Sequence, residues 1–336
     1  MISINSNTYT INIGVESVSL YDFSNFSSIA ILVDENTSKY CLPIFLKDFQ
    51  SRIDPLIIEI KSGENNKSIE SCFKVWNDLI ENSFDRQSLI VNLGGGVICD
   101  LGGFCAASYK RGISFINVPT SLLAMVDASY GGKVGVNINK LKNQIGYFKN
   151  PVDVLVNPIY LNTLPNHEMI CGFAEIIKHA LISDIKYWKI IKNLDLDNVS
   201  NLDRDQIIER SIIIKNQIIL EDPFEIGNRK KLNFGHTFGH AIESYYMEKS
   251  QSISHGQAIL IGMLLECELS NMDVKEKLEI KGFILSKFKL PYAPSTKELK
   301  RFLIHDKKNI DGQINFSLLT EIGNCEINNL FSHNEL

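Results

Sequence analysis

Four short β-rich apolar runs, "IAILV" (29–33), "LIIEI" (56–60), "LIVNL" (89–93) and "FINV" (115–118), punctuate the first half of the chain. Longer segments of helical character, 37–52 and 67–83, lie between them, and Asn66 or Ser68 is placed to cap the second. Strands alternating with helices predict a parallel sheet covered on both faces, an α/β, Rossmann-like arrangement. Ligands of such sheets bind beyond the carboxyl ends of the strands.

The strand pattern fades after "NTLPNHE" (162–168). Residues 168–182, 205–221, 236–249 and 255–269 read as helices, with Pro165 near a helix start, and only 312–327 looks like a late hairpin. Residues 193–205 are polar enough to be a loop. With 336 residues the chain is too long for one ordinary core. Two domains are expected, an α/β domain over 1–164 and a mostly α-helical domain over 165–336. No apolar run reaches the roughly 18 residues of a membrane span. The start "MISINSNTYT" lacks the basic and apolar regions of a signal peptide, so a cytoplasmic location is expected. A net charge of −5 without a long basic run argues against nucleic acid as a partner, and an anionic substrate would need a local cluster of cations. The seven cysteines are scattered, without C-x-x-C, which suits buried apolar residues rather than a disulfide framework or a cysteine-based zinc site.

Three motifs carry chemistry. "LIVNLGGGVICDLGGF" runs from a strand through Gly94, Gly95 and Gly96 toward a helix, where a bare backbone and a helix start attract phosphate. Cys99 occupies the third glycine position of G-x-G-x-x-G, so the motif is a variant of the dinucleotide fingerprint. The stretch 125–146 reads as a glycine-rich loop carrying Asp127, Lys133, Lys142 and Asn143, with Arg111 upstream, a cluster suited to phosphate or carboxylate. In the helical half, Glu175 sits among apolar neighbours three residues before Lys178, a setting that demands a cationic partner. His236 and His240 share a helical face, and His255 opens the next helix. Two histidines and a carboxylate are a common zinc donor set. The missing glutamate of H-E-x-x-H disfavours peptide hydrolysis. The residues alone leave four candidate ligands, Glu175, His236, His240 and His255, for about three protein positions.

Taken in order, "GGGVICDLGGF", "YKRG", "VPTSLLAMVDASYGGKVGVN", "KNQIGYF", "LNTLP", "GFAEIIKHALI", "LNFGHTFGHAIE", "HGQAILIGM" and "DKK" resemble the 3-dehydroquinate synthase family, from about residue 63 onward. The resemblance implies an NAD-binding α/β half, a helical metal-binding half and a homodimer. It implies Glu175, His236 and His255 as ligands of one divalent metal, zinc or cobalt, and leaves His240 as an acid/base group. Glu225 matches a second acid/base position, and Lys178 and Asp127 complete the implied catalytic set. Substrate contacts are implied for Arg111 (reaching across the dimer), Asp127, Lys133, Asn143, Lys178, Lys215, Arg229, Asn233 and His240, and for Lys307 or Lys308 at the phosphate. Cofactor contacts are implied for Asp34, Glu64, Lys67, Gly95, Gly96, Val97, Asp100, Thr120, Ser121, Lys133, Lys142, Tyr160 and Thr163.

The implied reaction converts 3-deoxy-D-arabino-heptulosonate 7-phosphate into 3-dehydroquinate and phosphate, a step of the shikimate pathway. It proceeds by transient oxidation with NAD, phosphate elimination, reduction, ring opening and intramolecular aldol closure. Cys99, Leu141 and Cys171 depart from the family pattern and bear on cofactor affinity more than on chemistry. Rival expectations are another sugar-phosphate cyclase, a metal-dependent glycerol or alcohol dehydrogenase, and an NAD-binding regulator without activity. Arg229 and Asn233 favour the dehydroquinate branch, and the lysines of 133–142 suit a phosphorylated acid better than glycerol.

Overall fold

The computed structural model describes residues 1–139, 141–196, 200–304, 309–332 and 334–336. The chain divides into two compact units, Met1–Pro165 and Asn166–Leu336.

The first unit is built on a seven-stranded sheet. β1 (Ile2–Asn5) and β2 (Thr10–Ile13) form an antiparallel edge hairpin. β3 (Ile29–Asp34) leads through α1 (Glu35–Tyr40) and α2 (Leu42–Asp48) to β4 (Leu56–Ile60), and α3 (Ile69–Glu81) leads on to β5 (Leu89–Gly94). α4 (Gly96–Ser108) connects β5 to β6 (Ser114–Pro119). A separate hairpin of β7 (Lys133–Ile138) and β8 (Leu141–Phe148) precedes the return to the sheet as β9 (Asp153–Val156). The spatial order is β1-β2-β9-β6-β5-β3-β4, parallel from β2 to β4. β3, β5 and β6 are almost wholly buried, which is why they read as apolar runs in the sequence. β3 and β5 are neighbours, yet β3 continues to one side and β5 to the other. That reversal makes their carboxyl ends a topological switch point, where open α/β sheets bind ligands.

Local chemistry decides the connections. Ser68, not Asn66, caps α3, its hydroxyl accepting from Ser71 N at 3.4 Å. The segment of helical character over 37–52 holds two helices, because Pro43 has no N–H to continue the first and sits instead in the first turn of the second. The expected loop 125–146 is a π-helical turn (Ala124–Ala128) followed by the β7–β8 hairpin. Gly135 and Gly146 pair across that hairpin, and a Cβ on Gly135 would lie 2.6 Å from Ile145 O. These two glycines serve close strand approach rather than loop freedom.

The second unit is mostly helical: α5 (Asn166–Ser183), α6 (Ile185–Asn193), α7 (Asn201–Glu221), α8 (His236–Glu248), α9 (His255–Leu269), α10 (Val274–Lys287) and α11 (Thr296–Leu303). A hairpin of β10 (Ile314–Glu321) and β11 (Asn324–Phe331) completes it. The polar stretch 193–205 is shorter as a loop than its composition suggests, because Ser200 caps α7, accepting from Asp203 N at 3.2 Å. α5 is buried on every side from Cys171 to Ile182, so it is the central helix of this unit. All seven cysteines are buried free thiols. Among the described residues no helix is long and apolar enough to cross a membrane.

Candidate functional site

Glycine lets three helices of the second unit approach closely. A Cβ on Gly256 would lie 2.5 Å from Cys171 Cα, pressing α9 against α5. A Cβ on Gly262 would overlap the carbonyl oxygen of Gly235, and one on Gly239 would lie 2.6 Å from Ile259 Cδ1, so α8 and α9 touch backbone to backbone. Gly235 itself, just before α8, has φ +81, a conformation few other residues accept.

At this junction α5 supplies Glu175, α8 supplies His236 and α9 supplies His255. Glu175 Oε1 is 3.6 Å from His236 Nε2 and 3.9 Å from His255 Nε2, and one ligand atom from each residue lies within 4.8 Å of the others. Donors bound at about 2.1 Å in a tetrahedral site sit about 3.4 Å apart, so the spacing matches a small divalent ion after slight closure. His236 Nδ1 is 3.2 Å from Phe234 O and His255 Nδ1 is 3.2 Å from Glu243 Oε1, which turns both Nε2 atoms toward Glu175. Glu175 is fully buried; the Lys178 ammonium is ion-paired with Oε2, and Oε1 takes no hydrogen bond. A buried carboxylate in this state is costly, and a cation at Oε1 offsets what Lys178 does not. One carboxylate and two imidazoles therefore fit zinc or cobalt. His240, one turn along α8, has its ring 5.5 Å from that of His236 and is not among the converging ligands. Burial pushes the neighbouring Cys171 thiol up, so it stays protonated and inert.

A loop after α7 gathers three more predicted residues. The Asp222 carboxylate accepts the backbone N–H of Ile226 (3.0 Å), Gly227 (2.7 Å) and Arg229 (3.1 Å). Burial pushes the Asp222 carboxyl up, but these N–H groups outweigh it and hold it below the usual carboxylate range. The tight loop leaves Glu225 at φ +60, with its Oε1 accepting from Asn233 Nδ2 at 2.9 Å. Arg229 is buried and donates to Pro223 O at 2.7 Å. Lys178 and Lys215 are buried on α5 and α7.

In the first unit the predicted cofactor residues collect at the carboxyl ends of the parallel strands. Gly95, Gly96 and Val97 open α4 after β5, while Thr120 and Ser121 follow β6. Glu64 and Lys67 follow β4. Lys67 is buried, ion-paired with Asp100 and donating to Asn143 Oδ1 at 2.6 Å. Burial pushes the Asp100 carboxyl up while Lys67 pulls it down. Asn137 completes the group, donating to Glu64 Oε1 at 2.8 Å and accepting from Asn143 N at 2.9 Å. Asn143, which the resemblance implies as a substrate contact, thus accepts from Lys67 here, beside exposed Lys142. Asp127 lies in the π-helical turn, a form of helix common at functional sites. Lys133 and Thr163 are exposed, and Arg111 is exposed in a turn at φ +71.

Two of the implied cofactor residues also have structural surroundings. Tyr160 is 1% exposed in the core. Asp34 Oδ1 caps α1, accepting from Asn36 N and Thr37 N at 2.9 Å. Lys307 and Lys308 lie outside the described residues. Three residues escaped the sequence: Asp222, Glu243 and Glu266. Glu243 stands seven residues after His236 on the same helical face, and Glu266 is a carboxylate in an apolar run, the signal that singled out Glu175.

Residues 57–171 match the family described as 3-dehydroquinate synthase N-terminal, and residues 172–309 match 3-dehydroquinate synthase C-terminal. A 3-dehydroquinate synthase of Parabacteroides distasonis is 38% identical over 309 residues, 90% of this chain and 87% of that protein. One of Leptospira interrogans is 40% identical over 301 residues, 85% of this chain and 82% of that protein. Among solved structures, a 2-epi-5-epi-valiolone synthase from Streptomyces hygroscopicus with NAD+ and Zn2+ bound shares the fold, with a TM-score of 0.86 at 22% identity, covering 100% of this chain and 96% of that one.

Proposed function

The chain belongs to the 3-dehydroquinate synthase family, and we propose that it converts 3-deoxy-D-arabino-heptulosonate 7-phosphate into 3-dehydroquinate and phosphate, using NAD and one divalent metal, zinc or cobalt. It is an enzyme of the lyase type. The observation that carries this is the family match through both halves of the chain, residues 57–171 and 172–309.

Glu175, His236 and His255 would hold the metal, a role supported by their convergence and by Glu175 Oε1, which takes no hydrogen bond. The strand-end residues of the first unit, Glu64, Lys67, Gly95, Gly96, Val97, Asp100, Thr120, Ser121, Lys142 and Thr163, would hold NAD. When bound, NAD supplies reversible hydride acceptance and the metal supplies Lewis acidity toward a substrate hydroxyl. The chain's own residues supply charge, orientation and proton handling. Lys178, Lys215 and Arg229 are buried cations, suited to a substrate bearing a carboxylate and a phosphate, and low dielectric strengthens such pairing. Asp127, Lys133, Arg111, Asn143 and one of Lys307 and Lys308 are assigned to the same substrate. His240 and Glu225 serve as acid/base groups, with Asn233 donating to Glu225 and fixing its orientation. Elimination, ring opening and aldol closure then depend on holding the substrate in the reactive geometry.

The protein acts in the cytoplasm as a homodimer. The dimer is supported by β8, exposed along its whole length and presenting Leu141, Ile145, Tyr147 and Phe148. A strand of that kind calls for a cover. Light scattering of the purified protein tests the dimer.

The decisive assay incubates the NAD- and metal-loaded protein with heptulosonate phosphate, sedoheptulose phosphate and glucose phosphate in parallel. Phosphate release from the first alone, with no net NADH, is the expected result. Release from another sugar phosphate, or net NADH formation, overturns the proposal.

A further inference from the structure

We infer that Glu243 and Glu266 are positioning residues for the two metal-ligating histidines, each carried on one helix and acting on the histidine that opens the other. The inference rests on the metal assignment above. His236 is the first residue of α8 and His255 the first of α9. α8 carries Glu243, whose Oε1 is 3.2 Å from His255 Nδ1. α9 carries Glu266, which is fully buried. Its Oε2 accepts from Gly235 N at 2.5 Å, and its Oε1 accepts from Thr237 N at 3.1 Å and Phe238 N at 3.2 Å. The backbone on both sides of His236 is therefore gripped by one carboxylate.

The two devices differ because the helix starts differ. α9 caps itself: Ser254 accepts from Gln257 N, and Gln257 returns the bond to the Ser254 backbone. Its backbone is fixed locally, and only the His255 ring remains to be aimed, which is what Glu243 does. The N-cap position of α8 is Gly235, which has no side chain to cap the first N–H groups. Glu266 supplies that cap from the neighbouring helix, and the closeness imposed by Gly235 and Gly262 lets it reach. A carboxylate on Nδ1 fixes the imidazole tautomer that offers Nε2 to a metal. Two helix N-termini also present positive potential to a cation, and Glu243 and Glu266 oppose it together with Glu175.

The full-length protein, stripped with chelator and titrated with Zn2+ against a chromophoric chelator, tests this, with the Co2+ absorption spectrum as a readout of ligand geometry. Glu243→Ala is expected to weaken metal binding about 10- to 100-fold, the usual loss for such an outer partner. It should also shift the cobalt spectrum and leave the melting point of the metal-free protein unchanged. Glu243→Gln, which keeps an acceptor for Nδ1–H, should recover part of the affinity. Glu266→Gln places an amide group among three N–H donors, so both metal affinity and metal-free melting should fall; Glu266→Asp is the milder variant should the first not fold. Wild-type metal affinity and cobalt spectrum in Glu243→Ala overturn the role of Glu243. A lowered melting point with wild-type metal affinity in the Glu266 variants makes Glu266 a structural cap and overturns its half. His236→Ala and His255→Ala separate the two levels: metal retained in both means the metal assignment itself is wrong, whereas metal lost in both with the glutamate variants unaffected means only the positioning inference fails.

Discussion

Gly262 lies on α9 beneath the first turn of α8, and replacing it with alanine tests what brings the proposed metal ligands together. The added Cβ would overlap the carbonyl oxygen of Gly235 and lie 2.8 Å from Gly239 N. Both obstacles are backbone, so no side-chain rotation relieves them. Restoring even the Gly239 contact to an ordinary 3.4 Å parts the helices by about 0.6 Å, and Gly235 demands more. Metal–ligand distances hold within about 0.2 Å, so His236 leaves its place relative to His255. Overpacking of this kind costs about 1–3 kcal/mol, which lowers the melting temperature of a unit this size by about 2–12 °C. Metal affinity should fall at least about tenfold, the range seen when a ligand is mispositioned. Calorimetry of the metal-free protein and chelator competition with Zn2+ read the two effects separately. Gly282→Ala on α10, where a Cβ meets nothing within 4 Å, is the control and should change neither adversely. If Gly262→Ala binds metal as tightly as the parent protein, close glycine packing does not set the site.

Three other substitutions probe the remaining parts. His236→Ala should abolish metal binding while His240→Ala keeps metal and loses turnover; metal content of the two purified variants decides, and the reverse pattern exchanges their roles. Asp222 has a depressed carboxyl pKa, so its stabilisation is fully present above the unfolded value near 3.8 and is lost as pH falls through the lower folded value. Asp222→Asn should therefore cost about 1.5–3 kcal/mol in urea unfolding at neutral pH and less as pH drops below about 4, whereas a pH-independent difference contradicts the role of its charge. Gly95→Ala puts a methyl 3.3 Å from Ser121 Oγ, which small adjustment accommodates, so the first unit should fold with NAD affinity reduced about tenfold or more; an unchanged dissociation constant removes this turn from the cofactor site.

Much of the architecture was legible because burial writes itself into composition. β3, β5 and β6 are buried on nearly every residue and stand out as apolar runs, and α5, α8 and α9 are rich in apolar residues along their length. What failed to show were elements with weaker signals. β8 is exposed at all eight positions, and β1 has little burial, so neither carries an inside–outside pattern. The glycines of β7 and β8 looked like loop residues because sequence does not distinguish conformational freedom from close approach. The helix-capping role of Asp34 Oδ1 and the burial of Tyr160 in the core were likewise not legible from the sequence.

The ligand choice shows why helical spacing alone stops short. His236 and His240 are one turn apart, about 6 Å along the axis, and both side chains share a face. Such a pair serves one ion when the ion sits between them, as happens when other ligands arrive at mid-turn. Here the other donors arrive at the start of the helix, because α9 meets α8 at Gly235 and meets α5 at Cys171, both contacts fixed by residues that lack a side chain. That brings His255 Nε2 and Glu175 Oε1 to the first turn of α8 and makes His236 the partner within reach. His240 is then left beside the cluster, its ring 5.5 Å from that of His236 and outside the set of converging ligand atoms. Which of two identical side chains joins the converging donors is thus decided by three glycines, at 235, 256 and 262, none of which is itself a donor.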